Sequence, residues 1–232
     1  MKVEDTIPFT TRSRAAFLMA AIAGFIDVIT FIGANHLFSA HITGNIVIAI
    51  SEIVNHKNGV LSKVISIPLF IFFAFFMTLS IHRLGKSARI LRAWLIAEAL
   101  LLMAFMYGGI YFLSTYSVDS WQYIAAGMIA VCAMAIHNTL MRTYMTTLPP
   151  VTVMTGNLTQ FTVDFANLML TRNKSNLHEK HKAARNGIER YGNVLLGFVV
   201  GGACAAVGFC WVSFWTVLLA VITIFVMAGQ IK

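Results

Sequence analysis

Six apolar runs dominate this chain, at 15–32, 64–82, 90–113, 121–141, 191–209 and 212–229. Each is long enough to cross roughly 30 Å of hydrocarbon, which takes about 20 helical residues. A backbone in lipid must satisfy its own hydrogen bonds, so runs of this length read as helices. Charged residues make up only 11% of the 232 positions. A water-facing surface needs about 25%, which excludes a soluble enzyme. The net charge of +8 then belongs to cytoplasmic loops, not to a nucleic-acid groove. The expectation is one all-α membrane domain over 1–232, with the lipid bilayer as its partner and no nucleic acid.

Other features of the chain fit that class. Cys132, Cys204 and Cys210 lie in apolar stretches at no zinc spacing and read as packing residues. Arg12 and Arg14 precede an apolar run containing Ala21-Ile22-Ala23, which resembles a signal-peptidase site. The run continues past it to Ile32, so a first membrane helix is expected there. Pro68 falls in the first turn of its run, where a missing N–H is harmless. Pro149-Pro150 breaks the chain. Residues 171–190 are polar and are expected to form the one sizeable loop. Ala16, Ala20 and Gly24 form a small-xxx-small face, and Gly197 with Gly201 forms a GxxxG. Both suit close helix approach within one chain, and the second also offers a homodimer seam.

Two shorter, more polar stretches, 38–53 and 151–170, carry an internal repeat. They read His41-Ile42-Thr43-Gly44-Asn45-Ile46 and Val153-Met154-Thr155-Gly156-Asn157-Leu158, with the Thr-Gly-Asn boxes 112 residues apart. Upstream, Gly24-Phe25-Ile26-Asp27 aligns with Ala135-Ile136-His137-Asn138 at a spacing of 111. Each box is followed by a polar loop and two apolar spans. The chain therefore reads as a duplicated unit, with repeats at 15–115 and 119–230.

Topology depends on whether the box stretches cross the membrane. If they dip in and return, there are six spans, and every Lys and Arg except Lys57 and Lys63 gathers on one side. If they cross, there are eight spans in a parallel 4+4 repeat, with Arg83, Lys86, Arg89, Arg92 and Arg142 moved to the other side. The positive-inside rule favours six spans with both termini cytoplasmic. Three spans per repeat is an odd number, so the repeats would be inverted, each with a short re-entrant helix beginning at Thr-Gly-Asn.

The Asp in the first helix, the His-Ile-Thr-Gly-Asn box and the second Thr-Gly-Asn before a short helix resemble the YoaK-like family. These are small bacterial membrane proteins carrying a domain of unknown function. The resemblance runs from about Ala15 to Gly229. It implies a bacterial inner-membrane protein of about six spans and brings no substrate or reaction.

Candidate binding residues follow from the repeat. Thr43 and Thr155 are good N-caps, and Gly44 and Gly156 permit close backbone approach. Helix starts near Asn45 and Asn157 would attract anions, and inverted repeats would bring them together near the midplane. The bland alternative is that Gly and Asn only stitch broken backbone. Asp27 lies deep in the first helix without a basic partner, so it reads as a proton- or cation-coupling group near Asn45, or as a neutral acid bonded to backbone. Its repeat partner, Asn138, is uncharged. Asp164 shares a helix face with Asn157, on a helix that is either interior or amphipathic at the surface.

His36, His41 and His137 are the remaining candidates, two of them beside the repeat signatures, and His41 is taken among the binding residues; the alternative is ordinary loop or helix-end histidine. Glu98 reads either as a buried functional acid or as a snorkelling one. His178 and His181 read as solvated. No nucleophile-and-base set, metal-ligand pattern or phosphate-binding loop is present, so no catalytic, metal or cofactor residues are assigned. The expected function is a small-solute transporter or channel with its site at the paired boxes, coupled through Asp27. A non-transporting scaffold or accessory subunit is the alternative, and no solute is identified.

Overall fold

The computed structural model describes residues 9–171 and 177–231 of the chain. Lys2, Arg172, Lys174 and Lys232, used above for topology, lie outside the described residues. The elements in chain order are α1 (Phe9–Gly33), α2 (Ile42–Val54), α3 (Val60–Leu84), α4 (Ala88–Gly108), α5 (Trp121–Tyr144), α6 (Met154–Thr171), α7 (His178–Val212) and α8 (Val217–Gln230). A π turn, Gly109–Leu113, ends α4, and a 3-10 turn, Ser213–Thr216, joins α7 to α8. Ser87 and Ser120 cap α4 and α5 by accepting the N–H of Ile90 and Tyr123.

Five stretches are long and apolar enough to cross a membrane: Ser13–Gly33, Val60–Leu84, Ala88–Leu113, Trp121–Tyr144 and His178–Gln230. The last joins two expected runs. Its interior holds a reversal at Ser213, whose φ of +52° lies in the left-handed region.

Tertiary contacts set the helix directions. His137 of α5 meets Met19, and Gly127 meets Leu37, so α1 and α5 are antiparallel. Arg92 bonds the carbonyl of Ile231 while Gly109 packs on Phe214, so α4 and α8 are antiparallel. Gly197 packs on Phe17 and Gly201 on Ala21, so α1 and α7 run parallel. Gly59 bonds Asp119 and Lys86 bonds Thr143, so α3 and α5 also run parallel. The pairs come in matched sets, with α1–α7 answering α5–α3 and α2–α3 answering α6–α7.

The small-residue faces meet each other. Ala16, Ala20 and Gly24 are buried, as are Gly197 and Gly201. A Cβ on Gly201 would lie 2.6 Å from the carbonyl carbon of Ala21, inside contact distance. The α1 and α7 backbones therefore touch, as glycine seams allow. Gly197 and Gly201 thus serve the close approach within one chain.

Two local expectations are corrected. Residues from His178 onward are helical, not loop, because Lys, Ala, Arg and Glu are strong helix formers and α6 supports them. Pro68 lies inside α3, since that helix begins at Val60.

Candidate functional site

After α1 the chain passes through Asn35 and His36, both left-handed with φ of +50° and +60°, and turns back into the bundle. Asp27 holds the returning strand. Its Oδ1 accepts from the backbone N–H of Ser39 at 2.9 Å and of Ala40 at 2.7 Å, and from the Ser39 hydroxyl at 3.3 Å. Its Oδ2 accepts from the His41 N–H at 3.1 Å and lies 2.5 Å from the His41 Nδ1. Asp27 is buried, whereas the His41 side chain is 23% exposed and lies edge-on to Phe198. The expected absence of a basic partner is thus corrected: the partner is His41, fourteen residues on.

Asn45 does not bond Asp27. Its Oδ1 accepts the N–H of Phe38, and its Nδ2 donates to the Phe38 carbonyl and to Ser66. The second half repeats the clasp with different chemistry. Asn138 accepts from the Thr152 hydroxyl at 3.0 Å and donates to the Met134 carbonyl at 3.0 Å. Asn157 donates to the Pro150 carbonyl, again seven residues back. Each box asparagine therefore ties its helix to its own returning loop.

The helix starts differ from expectation. α2 begins at Ile42 with His41 as N-cap, and α6 begins at Met154, so Thr43 and Thr155 lie inside the first turn and are exposed. Asp27 has already taken up the N–H groups that precede α2, which displaces the cap from Thr43. Gly44 meets Phe38 and Gly156 meets Val153, so both glycines admit local side chains. Asp27 and Asn138 each lie six residues from the C-terminal end of their helix, roughly 9 Å inside opposite ends of the bundle. Met19 is level with His137, which puts Asp27 about 12 Å higher along α1 than Asn138. The boxes are staggered in depth and do not share one level.

Asp164 sits on α6 against Gly187 of α7 and accepts from Gln160. Its neighbours on α6 are largely exposed. His36 is exposed and packs on Phe31. His178 is exposed, while His181, expected to be solvated, reaches the Thr171 hydroxyl at 3.1 Å.

Two buried pairs of ionisable side chains were not legible as pairs. His137 Nδ1 lies 2.7 Å from Glu98 Oε1, its Nε2 lies 2.9 Å from the Met19 carbonyl, and both side chains are 0% exposed. Glu98 is therefore interior, and the snorkelling alternative falls. Lys63, fully buried, donates to Glu52 at 2.9 Å across the α2–α3 hairpin. The signal for each was one ionisable residue in an apolar run, but the partner lies on another helix. Among the described residues, no three His, Cys, Asp or Glu side chains are grouped to hold a metal.

Long apolar helices, two segments that turn back into the bundle and, among the described residues, ionisable groups buried in pairs define a helical protein of the multi-pass membrane class. The chain belongs to the family described as "Protein of unknown function (DUF1275)", whose model matches residues 15–229. No curated protein and no solved structure matches it.

Proposed function

We propose that the chain is a small-solute transporter or channel of the bacterial inner membrane, crossing it six times in two inverted three-span repeats. Both termini would be cytoplasmic. The observation that carries this reading is the matched pair of returning segments, anchored by Asp27 and Asn138 about 9 Å inside opposite ends of the bundle. Broken backbone at such depth is tolerated where it is buried in protein or lines a cavity, and inverted repeats place solute sites between them. α2 has 13 residues, roughly 20 Å, too short to cross. Asp27 with the part-exposed His41 supplies a proton- or cation-responsive group on one side, and Asn138 with Thr152 supplies a neutral one on the other.

Uptake into proteoliposomes, screened over ions and small metabolites with and without a pH gradient, tests the function. A saturable, pH-dependent flux supports it. A scaffold is the second reading, favoured by the box asparagines being engaged by their own loops and, for Asn45, by Ser66 of α3. It predicts no flux and a stable stoichiometric partner on purification. Topology is tested with one cysteine at Asn58 in a Cys-free background. Labelling by an impermeant reagent from the periplasmic side supports six spans, and labelling only from the cytoplasm establishes eight.

A further inference from the structure

Among the described residues, Glu98 and His137 form the most enclosed ionisable pair, and they join the two halves of the chain. Glu98 belongs to the first repeat on α4, His137 to the second on α5, and the Met19 carbonyl to the first on α1. Met19 offers only an acceptor, so Nε2 of His137 must carry a hydrogen. One further proton then lies between Nδ1 and Glu98 Oε1. If it sits on Nδ1, the pair is an imidazolium and a carboxylate. If it sits on Oε1, both partners are neutral.

The surroundings decide between these. No group among the described residues bonds Glu98 Oε2, which is buried. A carboxylate oxygen left bare there carries the full cost of desolvating a charge. In a carboxylic acid the same oxygen is a weak carbonyl acceptor and costs far less. Charges that would favour the ionic form are distant or engaged. On α1, Asp27 is eight residues on and held by His41. On α3, Lys63 lies towards the other end and is held by Glu52, while His82 and Arg83, nearer the level of His137, are exposed. α8 and the 3-10 turn carry no titratable side chain. On the pair's own helices, Arg92 and Arg142 are exposed, and Cys132 is the nearest buried titratable group.

We propose that Glu98–His137 is a proton-binding site at the junction of the two repeats. It holds one proton as the carboxylic acid of Glu98, donated from Oε1 to Nδ1 of a neutral, Nε2-protonated His137. Transfer of that proton to Nδ1 gives the ion pair with no other change, so the hydrogen stays within the pair and no further reactant is needed. The Asp27–His41 pair stands beside the first returning segment, and this one stands beside the second, where His137 directly precedes Asn138. The assignment does not depend on what the protein transports, or on whether it transports at all.

The test is infrared spectroscopy of the full chain in lipid bilayers at neutral pH, with 15N NMR of the histidines. The expected result is a protonated-carboxyl C=O band that is lost in Glu98→Gln and kept in Asp27→Asn. His137 should show the neutral Nε2–H tautomer. Glu98→Gln keeps a donor facing Nδ1, so folding is preserved, and circular dichroism checks it. Absence of the band, its survival in Glu98→Gln, or an imidazolium signal from His137 overturns the assignment.

Discussion

Asp27→Asn is the substitution whose outcome the geometry fixes most sharply, although an amide is nearly the size of a carboxylate. The carboxylate accepts five hydrogen bonds: from the N–H groups of Ser39, Ala40 and His41, the Ser39 hydroxyl and the His41 ring. An amide has one oxygen and points an NH2 group wherever that oxygen does not. With the oxygen towards Ser39 and Ala40, the NH2 faces the His41 N–H, donor against donor. The bond from the His41 N–H to a charged acceptor is then lost, worth about 1.5–3 kcal/mol, the NH2 can donate to Nδ1 of a neutral His41 ring, and the rest weaken to the neutral range. The expected destabilisation is about 2–4 kcal/mol, read as the shift in denaturant or thermal unfolding of the purified protein in detergent. Asn138→Asp makes the reverse error, since a carboxylate there confronts the Met134 carbonyl that Nδ2 now serves. It should also destabilise, by about 2 kcal/mol. A cost below about 1 kcal/mol for Asp27→Asn would refute the view that this carboxylate holds the returning strand.

Other substitutions test the remaining contacts. Asn45→Ala removes three bonds and Asn157→Ala only the one to Pro150 described above, so unfolding should register about 3 against about 1 kcal/mol. Gly201→Leu would push α7 off the α1 backbone and should cost more than about 3 kcal/mol, while Gly229→Leu, with nothing within 4 Å, should be near neutral in the same assay. Lys63→Met leaves Glu52 charged and buried, at about 3–5 kcal/mol, and adding Glu52→Gln should recover most of that loss.

Much of this fold is legible in the sequence, because lipid is a simple solvent. It demands helices about 20 residues long, and apolar runs of that length can be read directly. The long helices, the two short box helices and the small-residue faces of Ala16, Ala20, Gly24, Gly197 and Gly201 follow from spacing. What spacing cannot give is the partner of a residue across helices. Asp27 is visible as an acid deep in an apolar run, but that it meets His41 depends on Asn35 and His36 turning the chain back. Glu98 and His137 lie 39 residues apart on separate spans, and only the antiparallel packing of α4 on α5 brings them to 2.7 Å. Glu52 and Lys63 are paired in the same way by the α2–α3 hairpin. The sequence determined which ionisable groups enter the apolar body. The tertiary structure decided how each is satisfied, because a hydrogen bond forms only between groups that packing has already brought within about 3 Å.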